Sequence, residues 1–113
     1  MKRNKKNIAE VNERIASVVY QREEINTYGM SQLEKMRAML RLDIIAVDKE
    51  LDVVNDVYDY SLKHDNTTAY GKQYRRGLDE EMELLGTLLY EMNSLLDEVN
   101  CRMHGNSVVV SVE

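Results

Sequence analysis

The chain has 113 residues, enough for one domain and too few for two ordinary ones. It contains no Pro, Trp or Phe and only five Gly, which argues against a sandwich or barrel, whose turns use both Pro and Gly, and removes the usual breaker of long helices. The net charge of −5 is unevenly spread: residues 1–41 carry nine basic and five acidic side chains, residues 42–113 six and fifteen. A mostly acidic body is poorly suited to wrapping phosphate. Apolar content of 43% can supply a core, and 31% charged residues suit helices with wet outer faces.

In chain order, Lys2-Arg3-Asn4-Lys5-Lys6 is the only basic cluster. It reads as a solubilising arm over residues 1–6 or as an arm touching nucleic acid through Lys2, Arg3, Lys5 and Lys6. Helical periodicity then predicts a first helix over about 5–27. Ile8, Val11, Ile15, Val18 and Ile25 recur in steps of three and four, with Arg22 in one otherwise apolar slot. Gly29 is expected to stop this helix in the left-handed region.

Ser31-Gln32-Leu33-Glu34 reads as a capping box opening a second helix over about 31–63. Its stripe is Met30, Leu33, Leu40, Ile44, Val47, Leu51, Val54 and Tyr58, with Arg37 in one slot. Met39, Leu42 and Ile45 form a smaller apolar patch on its back. His64-Asp65-Asn66-Thr67-Thr68 is the clearest loop.

A third helix is expected over about 68–104. Its start lies between Thr68 and Gly77, where Gly71 and Gly77 weaken the pattern and Asp79-Glu80-Glu81 would complement a helix dipole. Leu78, Met82, Leu85, Leu89, Met92, Leu96, Val99 and Met103 form its stripe, widened by Leu88 and Leu95. A stripe this wide suits contact with two neighbours. Gly105-Asn106 is expected to end the helix, leaving 106–113 as a β-prone tail. There Val108, Val109, Val110 and Val112 would dock on a sheet edge of another chain or fray.

Short links favour antiparallel neighbours, so the fold class is all-α: an antiparallel three-helix bundle, or coiled-coil hairpin, over 7–105. Folding about Gly29 and about Asn66–Thr67 places Ile8 near Lys49 and Leu84, and Arg22 and Lys35 near Glu98. The first helix then leaves residues 50–83 uncovered over about 25 Å. Leu51, Val54, Leu78 and Met82 would form an exposed apolar strip, a kind of surface that monomers avoid, so a second copy or a partner protein is expected to cover it together with Met39, Leu42 and Ile45. Arg22 and Arg37 need acidic partners, for which Glu34, Asp97 and Glu98 are candidates.

Chemistry-bearing motifs are sparse. Cys101 is the lone cysteine, so no internal disulfide forms and a zinc site is unsupported; a reducing, cytoplasmic setting is the default. His64 and His104 have no acid or His at ligand spacing, so no metal or cofactor is expected. The Asp79-Glu80-Glu81 and Glu23-Glu24 runs read as solvated faces rather than general acids. No run approaches the length of a membrane span or a signal peptide.

The segment Leu40-Arg41-Leu42-Asp43-Ile44-Ile45-Ala46-Val47-Asp48-Lys49-Glu50-Leu51 is similar to the long first helix of all-helical chorismate mutases. That resemblance implies a site in which arginines and a lysine from several helices hold a dicarboxylate. It covers about a dozen residues, and the family's Arg after the double-Leu step is missing, with Val53-Val54-Asn55-Asp56-Val57-Tyr58 in its place.

Tyr58, Tyr60, Tyr70 and Tyr74 cluster around the second turn with Lys72, Arg75 and Arg76. Tyr and Arg carry binding energy at interfaces, and aromatics mixed with basic groups also bind single strands, although Asp56, Asp59, Asp65 and Asp79 would repel phosphate. Rings packing the hairpin tip is the other reading. The leading expectation is a non-enzymatic interaction protein of adaptor, assembly, structural-subunit or inhibitor type, self-associating and docking a protein partner. The alternative is a nucleic-acid accessory factor using the basic arm, and a more remote one is a small helical enzyme.

Overall fold

The computed structural model describes the backbone of residues 2–112 and the side chains of residues 7–105. Three helices make up the fold: α1 (Lys2–Glu24), α2 (Met30–His64) and α3 (Ala69–Val112), with a short 3-10 turn at Ile25–Thr27 between the first two. No strand occurs among the described residues, and the all-α three-helix architecture expected from periodicity is the one observed. The helices run up, down and up. At 1.5 Å per residue α3 is about 66 Å long, which accounts for the 67 Å long axis.

Burial follows a period of seven. Val11 and Val18 are buried on α1 and Ile25 on the 3-10 turn that follows it; Leu33, Leu40, Val47, Val54 and Ser61 on α2. Helix α3 buries two interleaved sets, Leu78, Leu85, Met92 and Val99 together with Glu81, Leu88 and Leu95. The reason is topological. Both α1 and α2 pack principally on α3 and less closely on each other, so α3 needs two buried positions per heptad where its neighbours need one. The core phase on α3 therefore differs from the simplest reading of its stripe. Leu88 and Leu95 are fully enclosed, Leu89 and Leu96 only half, and the slot expected for Met82 is taken by Glu81.

The α1–α2 link departs from expectation in detail. Gly29 has φ −81° and ψ 172°, an extended N-cap of α2 rather than a left-handed stop of α1. Its N–H donates to Gln32 Oε1 at 3.0 Å, so the capping residue three positions on is Gln32, two residues before the expected Ser31–Glu34 box.

The α2–α3 turn is locked by polar groups. Thr68 caps α3: its Oγ1 accepts the Gly71 N–H at 2.9 Å and donates to Asp65 Oδ1 at 2.5 Å. Asp65 N–H donates back to the Ser61 carbonyl at 2.8 Å. Gly71 is required by proximity, since a Cβ there would stand 2.2 Å from the Asp65 carbonyl oxygen. The glycine that weakens the helix pattern in the sequence is the one that lets the loop pass over the first turn of α3.

Two further expectations are corrected. The backbone stays helical through Gly105 and on to Val112, where a stop and a β-prone tail were expected. No described residue has a positive φ, so Gly105 makes no left-handed cap. A strand without a partner would leave its N–H and C=O groups unpaired, whereas a helix satisfies them internally, at only a few tenths of a kcal/mol in propensity per Val, about 0.5. The backbone at 2–6 continues α1 rather than forming a separate arm.

Candidate functional site

The expected bare strip does not exist in the folded chain. Val54 and Leu78 are buried, and Leu51 and Met82 are half-buried against the core. The cause is register. Arg22 Nη2 meets Glu91 Oε2 at 2.6 Å, a heptad before the expected Glu98, and Asn7 Nδ2 reaches Glu81 Oε1 at 3.4 Å. Helix α1 is thus displaced toward the hairpin tip and starts earlier than expected, so it covers part of the length expected to be open. The acids expected to hold Arg22 are replaced by Glu91, and Glu98 pairs with Arg102 one turn along α3 instead.

The far end is closed by Arg75. This residue, expected at a partner surface, is 6% exposed. Its Nη1 donates to the Ser61 carbonyl at 3.1 Å, to Ser61 Oγ at 3.2 Å and to the Asp65 carbonyl at 2.9 Å, and its Nη2 to the Asn66 carbonyl at 3.0 Å. The Asp65 and Asn66 carbonyls stand just past the end of α2, and the Ser61 carbonyl already accepts the Asp65 N–H, so a guanidinium from α3 caps α2 and seals the tip.

The tyrosines divide. Tyr58 packs against the core, whereas Tyr60, Tyr70 and Tyr74 are exposed, as is Arg76. Tyr70 and Tyr74 lie one turn apart with parallel rings, centroids 6.4 Å apart, and Tyr60 lies on His64 at 4.1 Å. The tip therefore presents two aromatic pairs on neighbouring helices. His104 and Cys101 are exposed, and the described residues contain no group of three potential metal ligands.

The outer face of α2 remains open. Met39, Leu42 and Ile45 are 63%, 68% and 54% exposed. Val53, 60% exposed and overlooked by the sequence reading, extends this face. Met39, Leu42, Ala46, Lys49 and Val53 fall in alternating steps of three and four, a second seam on the side away from the core; this spacing was the available signal.

Beside that seam, α1 and α2 stand apart over α3. One groove of about 400 Å³ is lined, among the described residues, by Asn7, Glu10, Val11, Arg14, Ala46, Lys49, Glu50, Val53, Val54, Glu81 and Leu85. Two smaller hollows continue it toward Gln21, Tyr28 and Gln32. Arg14 Nη1 bridges to Glu50 across the rim at 3.4 Å. Lys49 is exposed, and the carboxylates of Glu10, Glu50 and Glu81 stand in the same groove, an environment that repels a dicarboxylate. Glu81, expected to be a solvated acid, is 8% exposed, with Asn7 as its one hydrogen-bond partner. Its position in the series Leu78, Glu81, Leu85 and Leu88 was the sequence signal for burial.

Comparison with family models, with curated proteins and with solved structures finds no match to the chain. Among the described residues no helix is long and apolar enough to cross a membrane. The side chains of Lys2, Arg3, Lys5, Lys6, Val108, Val109, Val110 and Val112 lie outside the described residues, so neither the basic segment nor the tail has a geometry to weigh.

Proposed function

We propose that this chain is a non-enzymatic protein–protein interaction module whose bundle self-associates. The observation that carries the reading is the outer face of α2. Met39, Leu42 and Val53 stand exposed at coiled-coil spacing, with Ile45 exposed beside them, on a helix whose opposite face already fills the core. An apolar seam of this kind is normally covered, and a second copy is the simplest cover for a helical seam. The strip at Leu51, Val54, Leu78 and Met82 is not part of the proposed seam, because these side chains are buried or half-buried within one chain.

The test is sedimentation velocity across a micromolar concentration series, with native chain and Leu42→Lys compared. The native chain is expected to shift from monomer to a larger species as concentration rises, and Leu42→Lys to stay monomeric with unchanged helical ellipticity. A native chain that remains monomeric over the whole series overturns the reading.

A second docking surface is favoured by the tip. Two exposed aromatic pairs held on a sealed, rigid turn resemble the anchors that dominate binding energies. Arg75 is excluded from that surface by its burial, leaving Tyr60, Tyr70, Tyr74 and Arg76 as its residues.

A further inference from the structure

A carboxylate removed from water needs a cation or several donors to offset its lost hydration. Glu81 has neither. It is 92% buried, its one hydrogen bond is a long one from a neutral amide, and no described cation pairs with it. Yet its side chain lines an open groove rather than a closed core. Along that groove Arg14 is engaged by Glu50, and Lys35 and Lys49 are exposed on the α2 rim. The walls are Val11, Ala46, Val53 and Val54 over a floor of Leu85.

We propose that the α1–α2 groove receives an amphipathic helix of another protein, and that an Arg or Lys set within the apolar face of that helix pairs with Glu81. The dimensions suit such an occupant. From Asn7 to Gln21 the groove follows α1 for about 20 Å, some four turns of a docked helix. A fourth helix there would complete a four-helix arrangement, with Ala46 allowing close approach on one wall. The charge defines the class of ligand: a wholly apolar helix would bury Glu81 unpaired, and an acidic one would repel it. This rests on the reading of the chain as an interaction module; the groove shares Ala46, Lys49 and Val53 with the edge of the self-association seam and its continuation shares Met39, whereas Leu42 lines neither, so a substitution at Leu42 separates the two.

The probes are two synthetic amphipathic helices of about 18 residues, otherwise identical and uncharged, with Leu along one stripe. One carries a single Arg in the middle of that stripe and the other citrulline, a neutral isostere. Fluorescence anisotropy of the labelled peptides against the full chain is expected to show the Arg peptide binding about tenfold more tightly, the scale of one charge-assisted bidentate pair. Glu81→Gln, verified as folded by circular dichroism, should erase the difference, while Glu10→Gln on the rim should preserve it. Leu42→Lys should abolish self-association and leave peptide binding intact, so the two proposals fail separately. Equal affinity of the two peptides for the native chain, a preference that survives Glu81→Gln, or no binding of either peptide would overturn the assignment.

Discussion

Replacing Arg75 by Met keeps most of the buried aliphatic stem and deletes the guanidinium. Four acceptors lose this donor, the carbonyls of Ser61, Asp65 and Asn66 and Ser61 Oγ, although the Ser61 carbonyl keeps the Asp65 N–H. Hydrogen bonds to a charged donor contribute about 1.5–3 kcal/mol each, but three of these share Nη1, and the loop carbonyls can recover water once the guanidinium is gone. The charge also sits at the negative end of the α2 dipole, adding at most about 1 kcal/mol. Counting roughly two effective bonds, the loss should be about 3 kcal/mol. For a chain of this length that corresponds to a fall of about 12 °C in Tm. Urea titration followed by far-UV ellipticity, with native, Arg75→Met and Arg75→Lys compared, measures it. Arg75→Lys should fall between, because one ammonium cannot span both Ser61 and Asn66. A loss below about 1 kcal/mol for Arg75→Met would refute the claim that this side chain locks the tip.

Other substitutions probe the same structure. Gly71→Ala should cost about 1–3 kcal/mol, because its Cβ would meet the Asp65 carbonyl at 2.2 Å, whereas Gly86→Ala, with open space around it, should gain about 0.5–1 kcal/mol in the same titration. Leu95→Ala, at a fully enclosed site, should cost about 2–5 kcal/mol in thermal melts; a loss of a few tenths would contradict the assigned core phase. Glu81→Met should leave the fold intact and raise the urea midpoint, since an apolar side chain of similar volume removes a charge that is largely buried, and a lowered midpoint would mean that the Asn7 contact matters more than its length suggests.

The fold was legible because its information is periodic. Steps of three and four over α1, α2 and α3 define the helices, and the polar run at residues 64–68 defines the second turn. Register was not legible. Counting residues about a turn assumes that both helices enter it symmetrically, but the 3-10 turn at Ile25–Thr27 and the extended Gly29 change where α1 lies against its neighbours. That displacement turned an expected bare strip into core and moved Arg22 from Glu98 to Glu91. The tip misled for another reason. An Arg among tyrosines in a loop region has the composition of an interface, and only the distances to three backbone carbonyls reveal a cap. Met39, Leu42 and Ile45 could be placed correctly because an outward patch depends on phase within one helix and not on register between two.

The division of packing among the helices also dictates an order of loss. Helices α2 and α3 are joined by a short turn that Arg75 and Thr68 clasp, while α1 leans chiefly on α3, with one exposed ion pair among the described residues tying it to α2. Peeling α1 away leaves the clasped pair whole; parting α2 from α3 leaves nothing standing. Amide protons of α1 should therefore exchange through a cheaper opening than those around Leu88 and Leu95, with Ile25–Gly29 as the pivot.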